Sequence, residues 1–212
     1  DGSLECLKTD YIDLYFLHRD DVSRPAGDIL ECLEEQVRKG KIRYYGCSNW
    51  QLNRIIEAQE YARLHGLKGF VCNQLMWSLA EINYDNLDDK TFVLMDKSTY
   101  QYHVESNMNA MAYMSVAKGY FARLSKGEKL PWSIEKVYGN ESNRKIFELL
   151  EEVCGDTLTV TDISLRYLME HPFASVPIAS FDNDEQLEES LRACDKDIPK
   201  ELLDSFSRLK SF

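Results

Sequence analysis

The chain has 212 residues, 44% of them hydrophobic, and a formal net charge of −11. That composition fits a single globular domain over residues 1–212 rather than a disordered chain, and the acidic balance argues against nucleic acid and anionic membrane surfaces as partners. Six scattered cysteines without a CxxC pair, and no apolar run near the ~20 residues of a spanning helix, point to a reduced, cytoplasmic protein with no metal site.

The N-terminus reads as the last turns of a helix over Ser3–Lys8, as expected of a piece of a longer protein. Tyr11–Leu17, rich in aromatic and β-branched residues, predicts a strand that ends on His18. Pro25–Lys39 repeats Ile29, Leu30, Leu33 and Val37 at helical spacing, with Gly40 as its C-terminal stop. Ile42–Cys47 predicts a second strand, delivering Ser48 and Asn49 to its C-terminal end. Trp50–His65 is helical and closed by Gly66. Phe70–Gln74 is a third strand. Lys90–Glu105 is expected to be helical through Phe92, Val93, Leu94 and Met95. Asn109–Tyr113 is a fourth strand, and Ala117–Ser142, broken by Gly119, Gly127, Pro131 and Gly139, a long loop with short helical pieces. Helices follow over 143–153 and 160–170, with Asp162 in the first turn of the second. Ser175–Ile178 is a short fifth strand. Helices over 184–193 and 199–209 end the chain, the last with Pro199 at its first helical position.

Strands alternating with helical crossovers imply an α/β fold with a parallel sheet. Five strands fit an open doubly wound sheet or the last five-eighths of a barrel. In a barrel the C-terminal strand ends carry the chemistry, so His18 and the Ser48-Asn49 pair read as parts of one rim.

These segments resemble the aldo-keto reductase family along nearly the whole chain. Leu4–His18 (LECLKTDYIDLYFLH) looks like that family's fourth barrel strand with the preceding helix end. Gly40–Asn49 (GKIRYYGCSN) looks like the fifth strand, Asn73-Gln74 like the end of the sixth, and Ala112–Ser115 like the seventh. Val176-Pro177 with Glu185–Glu189 looks like the eighth strand and the helix after it. The resemblance implies a partial (β/α)8 TIM barrel, parallel strands four to eight with surrounding and extra C-terminal helices. It also implies hydride transfer between NADPH or NADH and a small carbonyl or alcohol. The family's catalytic set is Asp, Tyr, Lys and His, and only the His maps here, onto His18. The chain as given is therefore expected to supply a cofactor cradle and one catalytic group, and to be weakly active or inactive alone.

Carbonyl reduction needs a hydride on one face of the carbon and a donor for the oxygen. His18 suits the donor role; a core histidine is the structural alternative. Ser48, Asn49 and Gln74 suit a nicotinamide carboxamide, which presents one acceptor and one NH₂ donor. The alternative for Ser48-Asn49 is a cap on the next helix. Tyr113 would stack on the nicotinamide or pack in the core, and Ser115, with Lys118, would approach the pyrophosphate. The family holds the adenosine end at the turn after its last strand, which maps here onto Ser180, Phe181, Asn183, Gln186, Glu189 and Ser190. No cation stands in Ala179–Gln186, whereas Asp182, Asp184 and Glu185 do, so NADPH against NADH stays open. An acidic solvated helix face is the plain alternative. His65, His103 and His171 read as helix-end cations, Asp20-Asp21 as a solvated loop, and Trp50, Met76 and Trp77 as pocket walls or packing. A rival class is a non-catalytic dinucleotide-binding or interaction module. Its exposed edges, Tyr11–Leu17 and Ser175–Ile178, would pair with a second copy or a missing N-terminal segment. An unrelated barrel with a phosphate site is opposed by Gly46–Asn49 and Asn73-Gln74.

Overall fold

Five strands pair in sequence order in the computed structural model, which describes residues 1–210: β1 (Ile12–Leu17), β2 (Ile42–Ser48), β3 (Cys72–Met76), β4 (Asn109–Tyr113) and β5 (Ser175–Pro177). The β1–β2 and β2–β3 pairings are parallel. Helix α1 (Gly2–Leu7) precedes them. The crossovers are α2 (Ala26–Arg38), α3 (Leu52–His65) and α4 (Lys97–Ser106). Between β4 and β5 lie a 3₁₀ turn (Ala117–Gly119), α5 (Tyr120–Ser125), α6 (Trp132–Tyr138), α7 (Glu141–Val153) and α8 (Val160–Met169). Helices α9 (Asp184–Cys194) and α10 (Lys200–Ser207) follow. The described chain divides into two compact units, Asp1–Leu75 with Thr91–Ala110, and Met76–Lys90 with 111–210.

In the first unit, Ala26, Leu30 and Leu33 of α2 and Ile55, Ala58 and Ala62 of α3 form buried stripes at helical spacing. They join Ile42, Tyr45 and Cys47 of β2 and Phe70 in one core. Gly27 lets the two helices approach, since a Cβ there would lie 2.5 Å from the Tyr61 ring. Gly40 and Gly66 stop α2 and α3 with φ of 72° and 66°, a conformation that only glycine adopts without strain. The buried Glu34 accepts from the Tyr45 hydroxyl at 2.8 Å and from the Lys68 amide at 2.8 Å, so its burial is compensated.

Asp20 departs from the solvated loop expected of it. Its side chain is only 7% exposed and is held by Arg54, Nε to Oδ2 at 2.8 Å and Nη2 to Oδ1 at 3.2 Å. The predicted helix over 90–105 is also corrected. Val93 and Met95 are buried ahead of α4, and Asp96 caps that helix by accepting the Thr99 amide at 2.7 Å. A short apolar run such as Phe92–Met95 suits a helix or extended chain equally.

In the second unit the expected loop over 117–142 contains α5 and α6, and Pro199 stands just outside α10 as its N-cap. Thr159 and Asp162 form a reciprocal capping box on α8. Asn143, fully buried, donates to the Glu81 and Tyr138 carbonyls at 2.8 and 2.6 Å and accepts the Glu81 amide at 2.8 Å. Trp77 is 2% exposed and packs 4.6 Å from the His171 ring, while Met76 and Trp50 are 3% and 0% exposed; these three are core rather than pocket walls.

His171 is no helix-end cation. Burial first, then the charges of Lys210 and Lys200, push it down to about 4. A folded value below the unfolded ~6.5 means that the unfolded chain binds the extra proton in between. Its contribution is fully present above pH ~6.5 and is lost as pH falls toward 4, amounting to about 3 kcal/mol. Urea unfolding at pH 7 and pH 5 checks this: stability drops at pH 5, and His171→Phe flattens the drop.

Candidate functional site

In the first unit the strand register sets three residues in one row. Leu17 of β1 pairs with Cys47 of β2, and Ser48 pairs with Gln74 of β3, so His18 just past β1, Ser48 at the end of β2 and Gln74, two residues before the end of β3, stand side by side. His18 is exposed, Gln74 half-buried, and Ser48 is 1% exposed. Asn49 leaves the row with a φ of 57°, its amide donating to the Gln74 carbonyl at 3.1 Å. Its side chain does not cap the next helix, whose N-cap is Gln51. Instead Asn49 Nδ2 donates to Ser48 Oγ at 3.0 Å, and Asn49 Oδ1 accepts the Val93 amide at 3.1 Å.

A buried layer supports this row, and the sequence reading missed it. His103 Nδ1 lies 2.7 Å from the Met108 carbonyl, which can only accept, so Nδ1 carries the proton. Nε2 then accepts from Asn73 Nδ2 at 3.3 Å, and Asn73 Oδ1 lies 3.8 Å from the Cys47 thiol. Burial lowers the His103 pKa, so this residue too is neutral rather than a helix-end cation. The available signal was that Asn73 and Cys47 directly precede two site candidates, Gln74 and Ser48.

In the second unit a cavity of about 480 Å³ opens beside the loop after β4 and the start of α9. It is lined by seven residues that the sequence singled out: Ser115, Lys118, Ser180, Phe181, Gln186, Glu189 and Ser190. Ser115, 1% exposed, donates to the Ile178 carbonyl at 2.7 Å and ties that loop to the end of β5. Tyr113, half-buried at the end of β4, and Asn183 are not among the lining residues. Asn183 caps α9, accepting the Gln186 amide at 2.9 Å. The segment 179–186 lacks cations, but Lys118, Arg123 and Lys126 line the same cavity. Arg123 pairs with Glu128 at 3.1 Å. Three residues of the cavity's loop without glycine's freedom, Met114, Ala117 and Lys118, hold φ of 56°, 50° and 54°. Such strain costs about 1–3 kcal/mol per residue and concentrates at ligand-binding sites.

The aldo/keto reductase family model matches residues 1–210. Among curated relatives, uncharacterized oxidoreductase YqkF of Bacillus subtilis is 30% identical over 194 residues, covering 90% of this chain and 57% of its own. Uncharacterized oxidoreductase YrpG of the same organism is 25% identical, with 96% and 60% covered. The chain thus spans 57–60% of the length of these two relatives. Among solved structures, an apo aldo-keto reductase from Bacillus halodurans superposes with a TM-score of 0.71 at 22% identity, covering 99% of this chain and 66% of that one. An aldo-keto reductase from Klebsiella pneumoniae in complex with NADPH gives 0.67 at 22% identity, with 98% and 62% covered.

Proposed function

The chain belongs to the aldo-keto reductase family, and from that premise we propose that the protein is an NADP-dependent oxidoreductase acting on small carbonyls or alcohols, with β1–β5 as barrel strands four to eight. The observation that carries the cofactor reading is the cavity of the second unit, whose lining includes Lys118, Arg123 and Lys126 together with Ser115 and five family-matched positions at and before α9. A relative described as an NADP(+)-dependent aryl-alcohol dehydrogenase, 24% identical over 204 residues, supports the same direction.

The roles follow from donor and acceptor chemistry. Bound nicotinamide cofactor supplies or accepts the hydride. Ser48, Asn49 and Gln74 take its carboxamide, Asn49 and Gln74 having NH₂ donors for the carbonyl and Gln74 an oxygen for the amino group. Tyr113 offers a ring face for stacking. Lys118 and Lys126 meet phosphate as charge-assisted donors, Phe181 packs on the adenine, and Ser180, Gln186, Glu189 and Ser190 offer polar groups to the adenosine end. Asn183 holds that turn as the α9 cap rather than touching the nucleotide. The missing clamp in 179–186 is thus replaced from the β4 side, which favours NADPH over NADH. His18 donates to the substrate oxygen as charge develops on it. Within these 212 residues only His18 has a counterpart in the family's catalytic set, so we propose that this chain alone turns over slowly, by about 10²–10⁴-fold for want of a positioned general acid.

Lys118→Gly separates fold from function. Glycine relieves the left-handed strain, so thermal unfolding should show a gain of up to about 1 kcal/mol. Loss of the ammonium should weaken NADPH by about tenfold, the order of one charge-assisted hydrogen bond. An unchanged NADPH affinity in calorimetry would remove Lys118 from the phosphate site.

A further inference from the structure

The segment Thr91–Val93 lies outside every role given above, yet it is fastened to two of the site's residues. Arg19 donates from Nε to Thr91 Oγ1 at 3.0 Å, and its guanidinium sits 5.4 Å from the Phe92 ring centroid. The same guanidinium donates from Nη1 to the His18 carbonyl at 2.9 Å. Two residues on, the buried Val93 amide donates to Asn49 Oδ1 at 3.1 Å. Val93 and Met95 are buried, so the strap is packed down rather than loose.

We infer that this strap is a positioning device for Asn49, with the Val93 backbone N–H as the positioning group. An amide N–H only donates. Its partner must therefore be the oxygen end of the Asn49 carboxamide, and the NH₂ end is turned to the Ser48 side, where Nδ2 already donates to Oγ at 3.0 Å. Without the strap the Asn49 amide loses the donor that selects its oxygen end. A ligand group meeting Asn49 on the Ser48 side must then be an acceptor, such as a carboxamide carbonyl oxygen. The inference rests on the reading that Ser48 and Asn49 receive a nicotinamide carboxamide. It adds that the strap decides which end of Asn49 is offered, and that Arg19 links this setting to the His18 strand end.

The test compares NADPH binding by calorimetry in the wild type, Val93→Pro, which lacks the N–H, and Val93→Ala, which keeps it. Val93→Pro is expected to weaken NADPH at least tenfold, while Val93→Ala stays within about twofold, the order expected for one hydrogen bond lost or kept. Thr91→Ala/Phe92→Ala cuts the Arg19 anchor without touching Val93, and is expected to weaken binding in the same direction by a few-fold. Side-chain NH₂ signals of Asn49 in a selectively ¹⁵N-labelled wild-type sample give a readout that needs no variant: they should shift on NADPH addition. If the wild type binds while both strap variants match it, the strap has no positioning role. Tighter binding by either variant would make the strap a blocker and overturn the inference, as would unmoved Asn49 signals at saturating NADPH. A wild type that binds neither NADPH nor NADH overturns the functional reading and this inference together.

Discussion

Arg54→Ala is expected to destabilise the protein by about 3–5 kcal/mol, read from urea unfolding at pH 7. Arg54 and Asp20 are 12% and 7% exposed in their side chains, so neither charge is well hydrated. The guanidinium makes two bonds to Asp20, a third to Glu57 Oε2 at 2.7 Å, and a fourth to the Arg24 carbonyl at 2.8 Å. These hydrogen bonds to Asp20 and Glu57 hold its pKa above that of a free arginine despite burial. Alanine leaves the Asp20 carboxylate buried without its main counter-charge, and that uncompensated charge is the larger part of the cost. The loop it pins carries the chain from His18 into α2, so the damage reaches the site as well. Replacing both partners, as Asp20→Asn/Arg54→Met, should cost much less than the single change, because no lone charge remains. A single mutant within 1 kcal/mol of wild type would show that water reaches Asp20 freely.

His18→Ala is expected to lower kcat for aldehyde reduction by about 10²-fold or more, with the NADPH affinity unchanged within about twofold. The reason is where the residue sits. It stands exposed just past the end of β1, level with Ser48. Removing a positioned donor to a developing alkoxide costs ~10²–10³ in kcat, whereas removing a ground-state contact would appear in KM. His18→Gln, which keeps an N–H donor of similar reach, should recover part of the rate. An unchanged kcat in the alanine variant would return His18 to a surface role.

Much of the fold was legible because local chemistry decided it. The ends of β1 and β2 at Leu17 and Ser48 follow aromatic and β-branched runs, whereas β3 starts at Cys72 and runs to Met76, two residues past the expected Gln74. Gly40 and Gly66 mark helix stops that only left-handed glycine fits comfortably. The strap was misread because Phe92–Met95 carries apolar side chains at consecutive positions, a pattern without a period. Short helical pieces are expected in 117–142, but the bounds of α5 and α6 are not legible, because Gly119, Gly127 and Pro131 punctuate the segment although Pro131 serves as the N-cap of α6. The Asp20–Arg54 pair spans 34 positions, and no local pattern announces it. In the cavity, residues 179–186 lack a cation; Lys118 is legible beside Ser115, but no local pattern ties Arg123 in α5 or Lys126 just after it to that segment. Asn183 carries a second task that the family pattern did not show, its Oδ1 capping α9.

The most direct measurement is calorimetric titration of the protein with NADPH and with NADH, repeated on Lys118→Ala/Lys126→Ala. The account predicts saturable binding of NADPH, tighter than NADH, with the double variant losing most of that difference because the lost lysines are the phosphate donors. Equal affinities for the two nucleotides in the wild type, or a double variant that keeps the wild-type preference, would contradict it.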